Sequence, residues 1–169
     1  MVLSLGCSTP YRTVVMDPAP IDAWSSAPAH AARICALRPS WVGGALPLIV
    51  HDEGELVAAL GADSYVCWTA APGRHRLAVR HHHLHTPTPS VHTEVLLTAG
   101  ARTYLEVSSG IDGSVDVEWL DEVEALEDME RCSWEELVEA PPGERLHARG
   151  HFGAGTRAVS AAGGSTSPR

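Results

Sequence analysis

The sequence predicts a mainly β protein: an antiparallel two-layer β-sandwich, immunoglobulin-like or transthyretin-like, with a short C-terminal acidic helix. Three turn signals in the middle third separate short apolar runs, which is typical of strands joined by tight turns. The chain has one Phe and three Tyr beside five Trp, so its core must rest on Val, Leu and Ile, which favour strands. The turn signals are Asp52-Glu53-Gly54, Pro72-Gly73-Arg74-His75 and Ala99-Gly100-Ala101-Arg102-Thr103-Tyr104.

Eight strands are predicted, each bounded by Gly, Pro, Asp or Ser. Within residues 103–108, Leu105 and Val107 share one face while Tyr104 and Glu106 share the other, the alternation of a half-buried antiparallel strand. Such strands bury their apolar faces only against a second layer, so we expect a sandwich. The predicted strands cover residues 33–37, 46–51, 55–60, 64–70, 75–83, 92–98, 103–108 and 115–121.

Two glycines and a change of spacing complete the predicted scaffold. Gly54 and Gly73 can take positive φ without steric cost and are expected to fix hairpin registers. After residue 121 the apolar spacing becomes helical and is interleaved with carboxylates, from Val123 to Trp134 and Leu137. One or two acidic amphipathic helical turns should therefore cap the sandwich.

Length and charge limit the classes of function. The chain has 169 residues, enough for one domain of about 100 to 150 residues with tails. Its formal net charge is −9, from 21 carboxylates against 12 cations that are all Arg. Such a chain is a poor candidate for capture of nucleic acid or anionic lipid, so no nucleic-acid partner is expected.

The composition divides the chain into three segments. Residues 1–30 combine a lipoprotein-like start with a Pro-, Ser- and Ala-rich stretch that reads as a flexible tether. Residues 31–140 contain every predicted strand and form the sandwich domain. Residues 141–169 are mostly Gly, Ala, Ser, Thr and Arg, so a disordered tail is predicted.

Cys7 is the candidate membrane attachment point. It follows a small residue and precedes polar, Pro-containing sequence, which resembles the processing site of a bacterial lipoprotein. Ser4 stands where Leu is usual, and the preceding apolar stretch is too short for an export signal. We therefore expect the true start to lie upstream and Cys7 to carry a lipid that anchors the protein at the periplasm-facing membrane surface. If no upstream signal exists, the match is chance and the protein is cytoplasmic.

The order of several motifs resembles a known family. The run from Ile34 to Trp41, the run from Ala45 to Val50, the three turn signals and Tyr65 together resemble the bacterial domain-of-unknown-function family 2846 over about residues 32–134. The resemblance implies a β-sandwich and a small exported periplasmic lipoprotein with an unassigned protein partner. It supplies no catalytic residues.

A histidine-rich hairpin is the candidate metal site. The metal-ligand candidates are His81, His83, His85 and His92, because alternate residues of one strand share a face and an adjacent strand brings further side chains opposite. Three or four imidazoles suit zinc, nickel or copper. The spacing matches no established zinc signature, so the structural alternative is a solvent-exposed hairpin that is merely rich in His.

The remaining cysteines and motifs leave the function open. Cys35, Cys67 and Cys132 lack any C-x-x-C pair. We expect Cys35 and Cys67 to be buried free thiols; the alternative is one disulfide.

No G-x-S-x-G, P-loop, dinucleotide or H-E-x-x-H motif is present. The leading hypothesis is thus a non-catalytic interaction or accessory module without cofactor, followed by a divalent-metal-binding protein and then a hydrolase.

Overall fold

The computed structural model describes residues 11–15, 26–43, 46–82 and 90–139, and in these residues the predicted sandwich and helix are confirmed. All eight predicted strands are present, with ends within two residues of the expected ones. The elements in chain order are β1 (Tyr11–Val15), β2 (Ala32–Arg38), β3 (Leu48–Asp52), β4 (Glu55–Leu60), β5 (Ser64–Ala70), β6 (Gly73–His81), β7 (Val91–Leu97), β8 (Arg102–Ser109), β9 (Val115–Leu120), α1 (Glu122–Arg131) and β10 (Ser133–Glu139).

The strands form two stacked sheets. One has six strands in the order β1-β10-β5-β2-β8-β9, and the other has four in the order β4-β3-β6-β7. Most neighbours are antiparallel, but β2 pairs in parallel with β8 and β5 in parallel with β10. The partners in these parallel pairs are far apart in the chain: five strands lie between β2 and β8, and four strands and α1 lie between β5 and β10. Strands β2, β4, β6 and β8 all finish at the same end of the sandwich, which we call the loop end.

The molecule has two apolar clusters, one on each face of the six-stranded sheet. The first lies between the sheets and includes Ile34, Leu77 and Leu105, none of which is exposed. The second lies under α1 and includes Met129 of the helix and Tyr104 on the outer face of the sheet. Because β2 is covered on both faces, all seven of its residues are buried. The central strands therefore form a rigid support for the loops that follow them.

Helix α1 begins and ends for identifiable reasons. The Asp121 carboxylate accepts hydrogen bonds from the main-chain N–H groups of Val123 (2.9 Å) and Glu124 (3.0 Å), which caps the first turn. The helix ends before Cys132, whose backbone is extended. The prediction that the helix includes Trp134 and Leu137 is wrong, since both belong to β10. Pairing of Ser133 with Ser64 extends the sheet there, and this tertiary contact overrides the helical spacing.

Residues 11–15 correct the prediction of a continuous tether over the first thirty residues. They form β1, which pairs with β10 at the edge of the six-stranded sheet. The signal in the sequence is the run Thr13-Val14-Val15, since β-branched residues favour strands. The predicted lipid site Cys7 and the predicted disordered tail of residues 141–169 lie outside the described residues.

The two predicted turn glycines have different roles. Glu53 (φ 49°) and Gly54 (φ 89°) form the two-residue turn of the β3–β4 hairpin, as expected. Gly73 also has positive φ, at 139°. It begins β6 just after the chain has crossed from one sheet to the other, so the prediction that Gly73 fixes a hairpin register is wrong.

Candidate functional site

Three large apolar side chains at the loop end are open to solvent. Trp41 and Leu46 lie in the connection from β2 to β3, with 76% and 39% of their surfaces exposed, and Ile111 lies in the turn between β8 and β9 with 98% exposed. Exposed apolar side chains at one end of a domain can form an interaction site with a partner. We call Trp41, Leu46 and Ile111 the apolar tip.

Arg38 holds the connection that carries two of these residues. Its guanidinium is fully buried and lies on the same face of β2 as the residues of the main core. Nη1 donates to the carbonyl oxygens of Leu46 (2.9 Å) and Leu60 (3.2 Å), while Nη2 donates to that of Val42 (3.3 Å). One side chain therefore ties both ends of the exposed loop to the sandwich. A loop fixed in this way loses little conformational entropy when a partner binds it.

Gly43 and Ser109 bring the two tip-bearing segments together. Gly43 has φ of 66°, and a Cβ added there would lie 2.6 Å from Ser109 Oγ. Ser109 Oγ is in turn 3.2 Å from His81 Nε2, and both side chains are buried. The β2–β3 connection is therefore packed directly against the end of β8, beside the turn that carries Ile111.

Two carboxylates moderate the buried charge of Arg38. Burial lowers the pKa of Arg38, and the negative charges of Asp63 and Glu135 oppose that shift. Burial raises the pKa of Glu135, while hydrogen bonds from the Gly61 N–H (3.3 Å) and Ser64 together with the charge of Arg38 act in the other direction. Because Arg remains protonated at physiological pH, the loop end contains a buried cation that donates hydrogen bonds to two carbonyls of the β2–β3 connection and to one at the end of β4.

The predicted metal ligands fall into two groups. His81 points inward from β6 and contacts Ser109, whereas His92 lies on the outer, exposed face of β7. These two side chains are thus on opposite faces of the four-stranded sheet and are not brought together. His83 and His85 lie outside the described residues, so the four-histidine site stays a prediction. In the part of the chain that the structure describes, no group of three His, Cys, Asp or Glu is placed to hold a metal ion.

An acidic groove of about 440 Å³ lies on the outer face of the β8–β9 hairpin. Burial raises the pKa of Glu106 there, and the charges of Asp128, Glu118 and Glu124 raise it further. Carboxylates are in excess in this part of the sequence, and three of them line the groove. The groove lies on the outer surface and not behind the apolar tip. The residues that line it are Glu106, Ser108, Asp116, Val117 and Glu118.

Cys35 and Cys67 form a disulfide, so the expectation of two free thiols is wrong. They are direct partners on β2 and β5, with their Cα atoms 4.0 Å apart. The pair was missed because register between two strands is not visible in the spacing of two isolated cysteines. Cys132 is a free thiol that packs against the apolar cluster under α1, the cluster to which Cys35 and Cys67 belong. Burial, followed by the charges of Asp63 and Asp128, raises its pKa to about 11.

Comparison with known proteins assigns no family. No family model matches the chain, and no curated protein or solved structure resembles it significantly. Membership of the family that the motif order resembles therefore stays a prediction. Among the described residues, no helix is long and apolar enough to cross a membrane.

The apolar tip is the feature that sequence reasoning missed. In the sequence, Trp41 belongs to the motif run that begins at Ile34, and Ile111 lies between Gly110 and Asp112, a composition typical of an ordinary turn. A Trp placed between Ser40 and Gly43, outside any strand, was the available signal. The sequence does not indicate that Trp41 is exposed, because Trp is highly buried on average in folded proteins.

Proposed function

We propose that this chain is a non-catalytic binding module: a lipid-anchored periplasmic β-sandwich that contacts a protein partner through the apolar tip. The observation that carries the proposal is the exposed Trp41 on a loop whose carbonyls are held by the buried Arg38. Aromatic side chains on fixed loops are the usual anchors of protein interfaces, since they bury a large area with little loss of entropy.

The polar side chains behind the tip support binding over catalysis. His81 and Ser109 are within hydrogen-bond distance of each other, but each is only 5% exposed. A general base and a nucleophile must reach the substrate, and these two groups face the interior. Their contact packs the β2–β3 connection against β8 instead.

The disulfide supports export. Disulfides between Cys residues form and persist in oxidising compartments such as the bacterial periplasm and are rare in the cytosol. The Cys35–Cys67 bridge is therefore in keeping with the proposed lipid on Cys7 and with a location at the cell envelope. The proposed anchor leaves the sandwich exposed to other envelope proteins.

The binding proposal is tested by site-specific photo-crosslinking in cells. A photoreactive amino acid at position 41 and, separately, at position 111 should give the same crosslinked partner. Positions 96 and 123 are matched controls, because Leu96 and Val123 are 74% and 69% exposed but lie on the outer face of β7 and on α1. Purified partner should then bind a Trp41→Ser variant at least about tenfold more weakly. Equal crosslinking from tip and control positions, or unchanged affinity, would refute the proposal.

The anchor is tested separately. Cys7→Ser should move the protein from the membrane fraction to the soluble periplasmic fraction and abolish incorporation of labelled fatty acid. Cys132→Ser is the control and should leave both unchanged. A Cys7→Ser protein that still sediments with membranes would remove the lipid from the proposal while leaving the apolar tip untouched.

A further inference from the structure

We propose that β1 is an exchangeable strand, and that the edge of β10 beneath it accepts the β1 segment of a second copy of this chain. β1 pairs with β10 over five residues, from Tyr11↔Glu139 to Val15↔Glu135, at the outer edge of the six-stranded sheet. Adding a strand to such an edge is a common mode of recognition, because main-chain hydrogen bonds supply the attachment.

The side chains of Thr13, Val14 and Val15 contribute little to holding β1 in place. Thr13 and Val15 are exposed and Val14 is only half-buried. The Thr13 hydroxyl donates to the carbonyl oxygen of Ala59 across 3.4 Å, near the limit of a hydrogen bond. Over residues 13–15, β1 is therefore attached mainly through the strand ladder with β10. An identical strand from another molecule would form the same ladder in the same register.

The first residues of β10 are anchored without help from β1. It pairs with β5 through Ser133↔Ser64 and Trp134↔Tyr65 only. Trp134 is buried in the cluster under α1, and Glu135 accepts a hydrogen bond from Gly61. Among the described strands, β1 is the one that pairs with β10 beyond Trp134. If β1 leaves, the main-chain groups of residues 135–139 lose their ladder partner, and the β1 segment of a second copy would satisfy them again.

The length of the connection permits exchange. β1 and β2 run in the same direction, and ten residues separate Val15 from Ser26. The ten intervening residues can span up to about 35 Å, whereas the seven residues of β2 are about 23 Å long. The connection is longer than β2, so it leaves slack with which β1 can pair with the β10 of a second copy. Reciprocal exchange gives a closed two-fold dimer with the native contacts, and the concentration sets its population.

Crosslinking between two chains that each carry one free cysteine beside the Cys35–Cys67 disulfide tests the exchange. One full-length chain carries Val14→Cys and the other carries Glu136→Cys with a size tag; both also carry Cys7→Ser and Cys132→Ser. Val14 and Glu136 are direct partners in the β1–β10 ladder, so a disulfide between these two chains requires β1 of one on β10 of the other. A tagged Glu118→Cys chain is the control, because Glu118 is exposed on β9 at the opposite edge of the same sheet.

The outcomes are distinct. We expect the 14–136 crosslink to exceed the 14–118 crosslink by at least about tenfold and to increase with protein concentration. Light scattering should show a dimer that Val14→Pro abolishes while near-ultraviolet circular dichroism stays native, since Pro disrupts strand pairing. Crosslinking at the control level, a monomer at every concentration, or a dimer that survives Val14→Pro would each overturn the proposal.

Discussion

Asp52 and His75 form a hydrogen-bonded pair between the sheets, with 2.7 Å between Asp52 Oδ1 and His75 Nδ1. The other carboxylate oxygen of Asp52 accepts a hydrogen bond from the Trp68 indole at 3.1 Å, so this residue of β3 ties the four-stranded sheet to β5 of the six-stranded sheet. His75 Nε2 lies 2.8 Å from the carbonyl oxygen of Ala71. Both ring nitrogens of His75 thus face acceptors, which is the arrangement that suits the doubly protonated imidazolium.

The first prediction is a loss of stability at alkaline pH that depends on His75. Burial disfavours the imidazolium, but the hydrogen bonds to Asp52 and Ala71 and the charges of Asp52 and Glu53 outweigh burial and raise the pKa. The unfolded-state pKa is about 6.5. Because the folded pKa is higher, the contribution is complete below about pH 6.5 and is lost as the pH rises through the folded value.

Urea unfolding between pH 5 and 9 measures this contribution. The free energy of unfolding of the wild type should fall across the alkaline part of this range relative to that of His75→Gln, which cannot titrate there. His92→Gln is the control, since His92 is exposed on the outer face of β7, and it should keep the pH dependence of the wild type. Parallel pH profiles for the wild type and His75→Gln would contradict the prediction.

The second prediction concerns Asp52 as a shared acceptor. Asp52→Ala removes the acceptor of both Trp68 and His75 at a site that is only 8% exposed. Leaving buried donors unsatisfied should lower the free energy of unfolding by about 1 to 3 kcal/mol. Denaturant titration checks the value, with Asp116→Ala on the exposed surface of β9 as control. A change no larger than that of the control would show that water replaces the carboxylate without penalty.

The third prediction is that the disulfide stabilises the sandwich strongly. Cys35 and Cys67 are separated by 32 positions, and closing a loop of that length in the unfolded chain corresponds to about 3 to 4 kcal/mol in the chain-entropy model. The double variant Cys35→Ala/Cys67→Ala should lose stability of that order in urea. Cys132→Ala, which removes a thiol but no crosslink, should lose much less. Equal losses in the two variants would mean that packing rather than the crosslink matters.

The fourth prediction is that Cys132 reacts slowly with thiol reagents. With a pKa of about 11, fewer than about one thiol in a thousand is ionised at pH 7.5, and the thiolate is the reactive form. Ellman's reagent, applied to a Cys7→Ser protein, should label Cys132 at least about a hundredfold more slowly in the native state than in urea. A native rate close to that of glutathione would show that the thiol is accessible and ionised.

The fold was largely predictable because its signals are local, whereas the candidate site was not. Alternation such as Leu105 and Val107 against Tyr104, and the Glu53-Gly54 turn, are properties of a few neighbouring residues. By contrast, the buried role of Arg38 depends on carbonyls of Val42, Leu46 and Leu60 that meet only after two sheets stack.

Strand order was equally hidden from local patterns. The segment at Trp134 has helical spacing, yet it forms a strand because Ser64 offers a free edge. The pairing of Cys35 with Cys67 likewise follows from the register of β2 with β5. Long-range pairing decides both outcomes, and one sequence carries no direct measure of it.

The fifth prediction concerns Gly43, where the two tip-bearing segments meet. Gly43 and Gly100 have similar positive φ values, 66° and 77°, so Ala at either position costs about 1 to 2 kcal/mol in backbone strain. Only at Gly43 does the added Cβ meet neighbours, at 2.6 Å from Ser109 Oγ and 3.0 Å from Ser109 Cβ; nothing lies within 4 Å at Gly100. Gly43→Ala should therefore cost at least about 1 kcal/mol more than Gly100→Ala.

A double-mutant cycle with Ser109→Gly isolates that contact. Ser109→Gly removes both atoms that the new Cβ would meet, so the penalty of Gly43→Ala should fall to that of Gly100→Ala in the Ser109→Gly background. The free energies of unfolding of the four proteins of the cycle, measured in urea, give the coupling. If the losses of unfolding free energy for Gly43→Ala and Ser109→Gly are additive, the β2–β3 connection moves away from β8 without cost. The contact of Gly43 with Ser109 would then not hold the loop that presents Trp41. A strong coupling would instead show that the position of Trp41 is fixed from both sides, by the hydrogen bonds of Arg38 and by the close approach of Gly43 to Ser109.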